Sequence, residues 1–186
     1  MSGLSADAVA VLPADTVYGL ACSARNIPAV ARLYGLKDRV RKPGTLIAAD
    51  IQQLADLGIP MRYLKPVAQY WPGPISVVVP SVPALSYLDM GIGTLAVRIP
   101  SNAALAHLLQ ATGPLITSSA NPPGLAPAQN IQQAIEYFGD RVDFYVDGGT
   151  LSGPPSTVIR IVDDAVEVLR EGAVRIDPDG SIRRQG

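Results

Sequence analysis

The chain has 186 residues, 48% of them hydrophobic and 17% charged, with a formal net charge of −1. That composition suits one globular domain with a substantial core and excludes a disordered chain. The near-neutral balance argues against a protein that grips duplex nucleic acid by its phosphates, and the single cysteine, Cys22, excludes an internal disulfide or a cysteine-based zinc site.

In chain order, residues 8–12 predict a buried strand ended by Pro13, followed by a loop over 14–19. Asn26 predicts a helix cap with Pro28 in the first turn. Val30, Leu33, Tyr34 and Lys37 continue at helical spacing, which ends the helix near 37–39. Residues 45–48 suit a short strand. Asp50 caps a helix over 51–57 that Gly58 closes, and another helix covers 61–70 despite Pro66. Trp71-Pro72-Gly73-Pro74 turns into a strand over 75–79. The second half repeats the alternation: a strand over 94–99, a helix over 102–110 capped by Ser101, a strand over 114–118, and a helix over 131–138 capped by Asn130. Strands over 142–146, 157–162 and 165–169 follow, the last two joined as a hairpin through Asp163-Asp164. Strands alternating with helices define an α/β class, and the closing hairpin makes the sheet mixed. The residues after Asp177 read as a loose tail. No signal peptide and no membrane-spanning run is visible, so the expected location is the cytoplasm.

Three features carry chemistry. In residues 114–124 an apolar run gives way to Thr117, Ser118, Ser119 and Asn121, then to Pro122, Pro123 and Gly124. Hydroxyls and amides at such a strand end bind anions or nucleotides in open α/β sheets, although the same residues also make ordinary turns. The window Lys37-Asp38-Arg39-Val40-Arg41-Lys42 holds two of the three lysines. It suits polyphosphate, or equally a solvated helix end. Arg98 sits in an otherwise apolar strand, on the face of Ala96 and Thr94, and its burial requires an anionic partner: a ligand carboxylate or an internal Asp. His107 and Cys22 read as structural residues. No P-loop and no GxGxxG is present.

Taken together, the motifs resemble a known family. Pro13-Ala14-Asp15-Thr16-Val17-Tyr18-Gly19-Leu20 is similar to its PTDTVYGL signature, and Lys37-Asp38-Arg39 and Ser119-Ala120-Asn121 match its K-x-R and S-x-N elements. Trp71-Pro72-Gly73-Pro74, residues 95–100, Pro155-Ser156-Thr157-Val158 and Leu169-Arg170-Glu171-Gly172 follow in the family's order. Over residues 9–174 the chain resembles the YrdC/Sua5/TsaC family of threonylcarbamoyl-AMP synthases, in its short single-domain form without an extra C-terminal domain.

The resemblance implies a twisted mixed α/β sheet of the YrdC-like (DHBP synthase-like) type with a concave ligand-binding face. It implies that L-threonine, bicarbonate and ATP, the last with Mg²⁺, are joined into threonylcarbamoyl-AMP with release of pyrophosphate. Downstream proteins then transfer the group to tRNA, forming t6A. tRNA contact is possible but not required for the first step, and no membrane is involved. By the same resemblance Lys37 and Arg39 are catalytic. Arg39, Lys42, Thr94, Ser119, Asn121 and Arg170 bind ATP, Thr16, Arg98, Thr117 and Ser156 bind threonine, and no residue is a metal ligand. The chain departs from the family at Ala14, where Thr is common, and at Val40, where Pro follows K-x-R, with one residue fewer before Lys42. It also has too few residues ahead of the first strand for the family's leading helix. Two alternatives stand beside this reading. One is a YciO-like paralogue that binds RNA or nucleotide without efficient synthesis, against which Ser119-Ala120-Asn121 argues. The other is a HypF-type carbamoyltransferase module, of whose zinc-finger and acylphosphatase parts no trace is visible.

Overall fold

The computed structural model describes residues 7–38, 41–163, 165–177 and 179–183. The apolar run at the start forms β1 (Val9–Pro13), with Val9 and Val11 in one core and Ala10 and Leu12 in another. The chain returns antiparallel as β2 (Tyr18–Ser23), a strand absent from the sequence reading. Tyr18, Leu20 and Cys22 do alternate with Gly19, Ala21 and Ser23, but a glycine and small residues weaken the local signal. The strand exists because β1 and a later strand pair with it on both sides.

α1 (Ile27–Gly35) starts at Asn26, whose Oδ1 accepts the Ala29 N–H at 2.8 Å, and it ends short of the expected 37–39. β3 (Thr45–Ile47) leads to α2 (Ile51–Asp56), capped by Asp50 through the Gln53 N–H at 2.8 Å. The expected helix over 61–70 divides into α3 (Met61–Leu64) and a 3-10 segment (Lys65–Tyr70), since Pro66 has no N–H to continue the ladder. β4 (Ile75–Pro80), α4 (Ser86–Asp89), β5 (Thr94–Arg98) and α5 (Ala103–Thr112) follow. The cap of α5 is Asn102 rather than Ser101: its Oδ1 accepts the Leu105 N–H at 3.0 Å. β6 (Leu115–Ser119) and α6 (Ile131–Phe138), capped by Asn130, lie as expected. β7 is only Phe144–Tyr145, while β8 (Thr157–Val162) and β9 (Ala165–Arg170) form the expected hairpin. β10 (Arg175–Ile176) pairs with β11 (Ile182–Arg183), so Ile182 and Arg183 of the expected loose tail are held in a strand pair.

Nine strands join in the order β7-β1-β2-β6-β3-β5-β4-β8-β9. The β1–β7, β3–β5 and β4–β8 pairs are parallel and the other pairs antiparallel, so the sheet is mixed. Alternation along each strand sends its residues to two different fates. One face, with Val11, Leu20, Leu46, Val77, Val97 and Ile116, is buried under Leu33 of α1, Leu54 of α2, Leu64 of α3 and Phe138 of α6. On the other face, among the described helices, only α5 adds a cover, its Leu105 and Leu109 packing with Ala10, Leu12, Ala21, Ile47 and Leu115. The rest of that face is open. No described helix is long and apolar enough to cross a membrane.

Candidate functional site

The open face holds a cavity of about 450 Å³. Its floor follows from strand register. Ala21 pairs with Thr117, Thr117 with Thr45, and Thr45 with Ala96, and all four line the cavity. One row toward α5, Ile47 pairs with Arg98, and both line it. One row the other way, Gly19 pairs with Ser119, and both line it as well. Gly44 is needed beside this floor, since a Cβ there would run into the Thr117 carbonyl oxygen. The loop after β1 brings in Ala14, Thr16 and Val17, and the entry to β8 brings in Pro155 and Ser156.

Arg98 is 5% exposed, and its Nη1 lies 2.5 Å from Asp15 Oδ1. Asp15 Oδ2 also accepts the Ser101 N–H at 3.3 Å. The internal Asp that the sequence left open as a partner is therefore Asp15. Yet Nε of Arg98 is buried with no acceptor among the described residues. Burial pulls this guanidinium below its ordinary value, and the Asp15 charge opposes the fall. A guanidinium held by an acid on a cavity wall suits an anionic ligand arriving from the cavity side.

At the β8 end, Ser156 Oγ lies 3.0 Å from Ser76 Oγ. Arg170 Nη2 donates to the Ser156 carbonyl at 2.7 Å and to its Oγ at 3.1 Å. Gly172 permits this closeness, because a Cβ there would collide with the Pro155 carbonyl. Thr117 Oγ1 donates to the Thr45 carbonyl at 3.0 Å. The hydroxyls of Thr16 and Ser119 have no hydrogen-bond partner among the described residues. Lys37 is 6% exposed and does not line the cavity. Its Nζ donates to the Ser119 carbonyl at 2.8 Å, the Asn121 carbonyl at 2.5 Å and Asn121 Oδ1 at 2.9 Å. Asn121 Nδ2 donates to the Leu125 carbonyl at 2.7 Å. Lysine and amide together fasten the loop that ends β6.

Of the residues singled out from the sequence, Thr16, Arg98, Thr117, Ser119, Asn121, Ser156 and Arg170 thus come together around one cavity. Lys42 is exposed beside it, next to the lining residues Pro43 and Gly44. Thr94 is not brought there: it is exposed, two residues and about 7 Å along β5 beyond Ala96. Arg39 and Val40 lie outside the described residues. Ser118, one of the strand-end hydroxyls, also lines the cavity, whereas Asp15 and Gly44 were not among the sequence candidates. Asp15 stood inside the recognised loop, whereas Gly44 gave only a turn signal.

Fold and cavity define a class: a mixed-sheet α/β protein with a polar site for small anionic ligands on the sheet's open face. A family model described as telomere recombination (Sua5/YciO/YrdC) matches residues 2–172. The chain belongs to the Sua5/YciO/YrdC family. It is 39% identical over 145 residues to a threonylcarbamoyl-AMP synthase of Halorhodospira halophila, covering 75% of this chain and 76% of the relative. The fold is similar to Sua5 of P. abyssi solved with L-threonine (TM-score 0.81, 29% identity), over 90% of this chain and 51% of that one, about half its length. It is also similar to YciO of E. coli (TM-score 0.79, 25% identity), over 92% of this chain and 86% of that one.

Proposed function

We propose that this protein is a threonylcarbamoyl-AMP synthase, an enzyme of the nucleotidyltransferase class. It would join L-threonine, bicarbonate and ATP and release pyrophosphate. The observation that carries the reading is Arg98: a buried guanidinium on the cavity wall, tied to Asp15 on one side, with Nε unmatched. An amino-acid carboxylate suits it, because a planar anion accepts two coplanar N–H donors. The relatives' names and the threonine-bound P. abyssi structure point the same way.

The chemistry asks little of the protein beyond placement. The threonine amine and bicarbonate give a carbamate, a carbamate oxygen attacks the α-phosphorus of ATP, and pyrophosphate departs. No protein nucleophile enters. His107 is exposed on α5 away from the cavity, and burial pushes the Cys22 thiol up to about 12. In this reading Arg98, Thr16, Thr117 and Ser156 hold threonine, while Ser119, Asn121 and Arg170 hold the nucleotide. Arg39 and Lys42 neutralise phosphate charge, and Lys37 keeps the Ser119–Asn121 loop in position for both ligands. Thr94 is left out of this assignment. Among the described residues no His, Cys, Asp and Glu side chains cluster in a way that would hold a metal ion. In this reading Mg²⁺ enters as part of the Mg·ATP substrate, where it would screen the phosphates. The product would pass to the proteins that modify tRNA in the cytoplasm.

The test is pyrophosphate release by the purified protein from Mg·ATP, with and without L-threonine and bicarbonate. Release that needs both is the expected result. Release that ignores threonine, or none at all, overturns the assignment and favours the YciO-like reading.

A further inference from the structure

Arg98 shares its charge with Asp15 inside a cavity that must also admit a triphosphate. The pair is buried on both sides, each side chain 6% exposed. Asp15 is fixed from a second direction by the Ser101 N–H at 3.3 Å, three residues beyond Arg98 on the segment leaving β5. The carboxylate therefore cannot swing away without losing contact with the same stretch of chain it orients.

Two consequences follow from charge and shape. A guanidinium with its full charge in a low-dielectric cavity attracts the most highly charged anion present. Beside ATP and its product, that anion is a polyphosphate, with three or four negative charges against one on a carboxylate. The Asp15 carboxylate cancels the net charge, and the loss of attraction scales with the charge of the visitor. What remains is the donor plane. Asp15 holds Nη1 and so fixes the orientation of that plane on the cavity wall, where a planar carboxylate can meet it.

We propose that Asp15 is a specificity-determining residue: it makes Arg98 a site for an amino-acid carboxylate and keeps pyrophosphate off it. This rests on the synthase reading and names how that site separates its two anionic ligands. Asp15 acts through Arg98 and is a positioning residue, not a catalytic one.

The experiment is calorimetric titration of L-threonine into the full chain, with and without excess inorganic pyrophosphate. In the wild type, threonine affinity should change by less than twofold when pyrophosphate is added, because the two ligands occupy separate places. In Asp15→Asn, which keeps the shape and an acceptor oxygen, pyrophosphate should weaken threonine binding at least tenfold. That fold-change corresponds to about 1.4 kcal/mol. Asp15→Glu, which restores the charge, should return the wild-type indifference. A damaged fold would weaken binding but would not create competition, and thermal unfolding of each variant checks it separately. Equal sensitivity to pyrophosphate in wild type and Asp15→Asn overturns the proposal. So does strong competition in the wild type itself, a result that does not depend on any variant folding. Should the wild type bind no threonine at all, the synthase reading falls along with it. Should it bind threonine without a difference between the proteins, only the role of Asp15 falls.

Discussion

Thr45 and Leu46 are neighbours in the chain and belong to different worlds. Leu46 faces the side of the sheet covered by helices and is 0% exposed, while Thr45 faces the cavity and is half-buried. The same contrast runs across the strands, between Val97 and Arg98 and between Ile116 and Thr117. The covered face is apolar and close-packed, so its energy comes from area removed from water. The open face carries a charge pair, hydroxyls and backbone carbonyls, so its energy depends on each polar atom finding a partner. A period of two in the sequence thus separates stability from chemistry at a distance of one residue.

The largest expected effect tests whether the open face is held by its charges. Arg98→Ala leaves the Asp15 carboxylate buried and alone, which should cost about 3–5 kcal/mol of folding stability and abolish threonine saturation. Removing both charges in Asp15→Ala/Arg98→Ala should recover part of that stability without recovering threonine binding. Denaturant unfolding and threonine titration of both variants check this. Full stability in the single variant would break the contrast. Next comes the covered face. Leu46→Ala should cost about 2–5 kcal/mol through the cavity it creates, with the threonine KM of the folded fraction unchanged. A KM raised as much as in the Arg98 variant would mean that the two faces are not separable.

The parts of this arrangement that could be read from the chain were local. Asn26, Asp50 and Asn130 announce their helices because a cap bonds an N–H three residues on. The hairpin of β8 and β9, the mixed sheet and the polar end of β6 were legible for the same reason. β2 was not, because a strand of small residues gets its stability from neighbours on both sides rather than from its own propensity. The need of Arg98 for an acid was visible, but the choice of Asp15, 83 residues earlier, was made by the fold. The hold of Lys37 on the carbonyls of residues 119 and 121 could not be read from the chain, since backbone acceptors leave no trace in a sequence. Thr94 shares the parity of Arg98, yet parity does not say where along a strand a cavity stops.

A smaller effect sharpens the contrast within the open face. Thr117→Val removes the 3.0 Å hydrogen bond to the Thr45 carbonyl and keeps the shape of the side chain. The expected loss is about 1 kcal/mol of stability, as for an ordinary internal hydrogen bond. The threonine KM should rise by a few-fold while the KM for ATP stays put. Steady-state pyrophosphate release at varied threonine and varied ATP separates these. Equal changes in both constants would place Thr117 between the ligands instead of beside threonine.

The covered face makes the last prediction, and it concerns pH. Burial pushes the Cys22 thiol from 9.0 up to about 12, so the folded state keeps the neutral form. The unfolded chain ionises near the lower value. Because the folded pKa is the higher one, the stability tied to the protonated thiol is complete below pH 9 and is lost as pH rises from about 9 to about 12, by up to about 4 kcal/mol. Tyr18 and Tyr70, both raised mainly by burial, add to the loss with the same sign. Cys22→Ala should therefore flatten the alkaline fall in denaturant midpoint, after lowering stability near neutral pH by about 1 kcal/mol through the small cavity it leaves. If the fall is just as steep without the thiol, the tyrosines carry it. Cys22 would then be packed loosely enough to ionise in place, and the covered face would not be as dry as its neighbours make it.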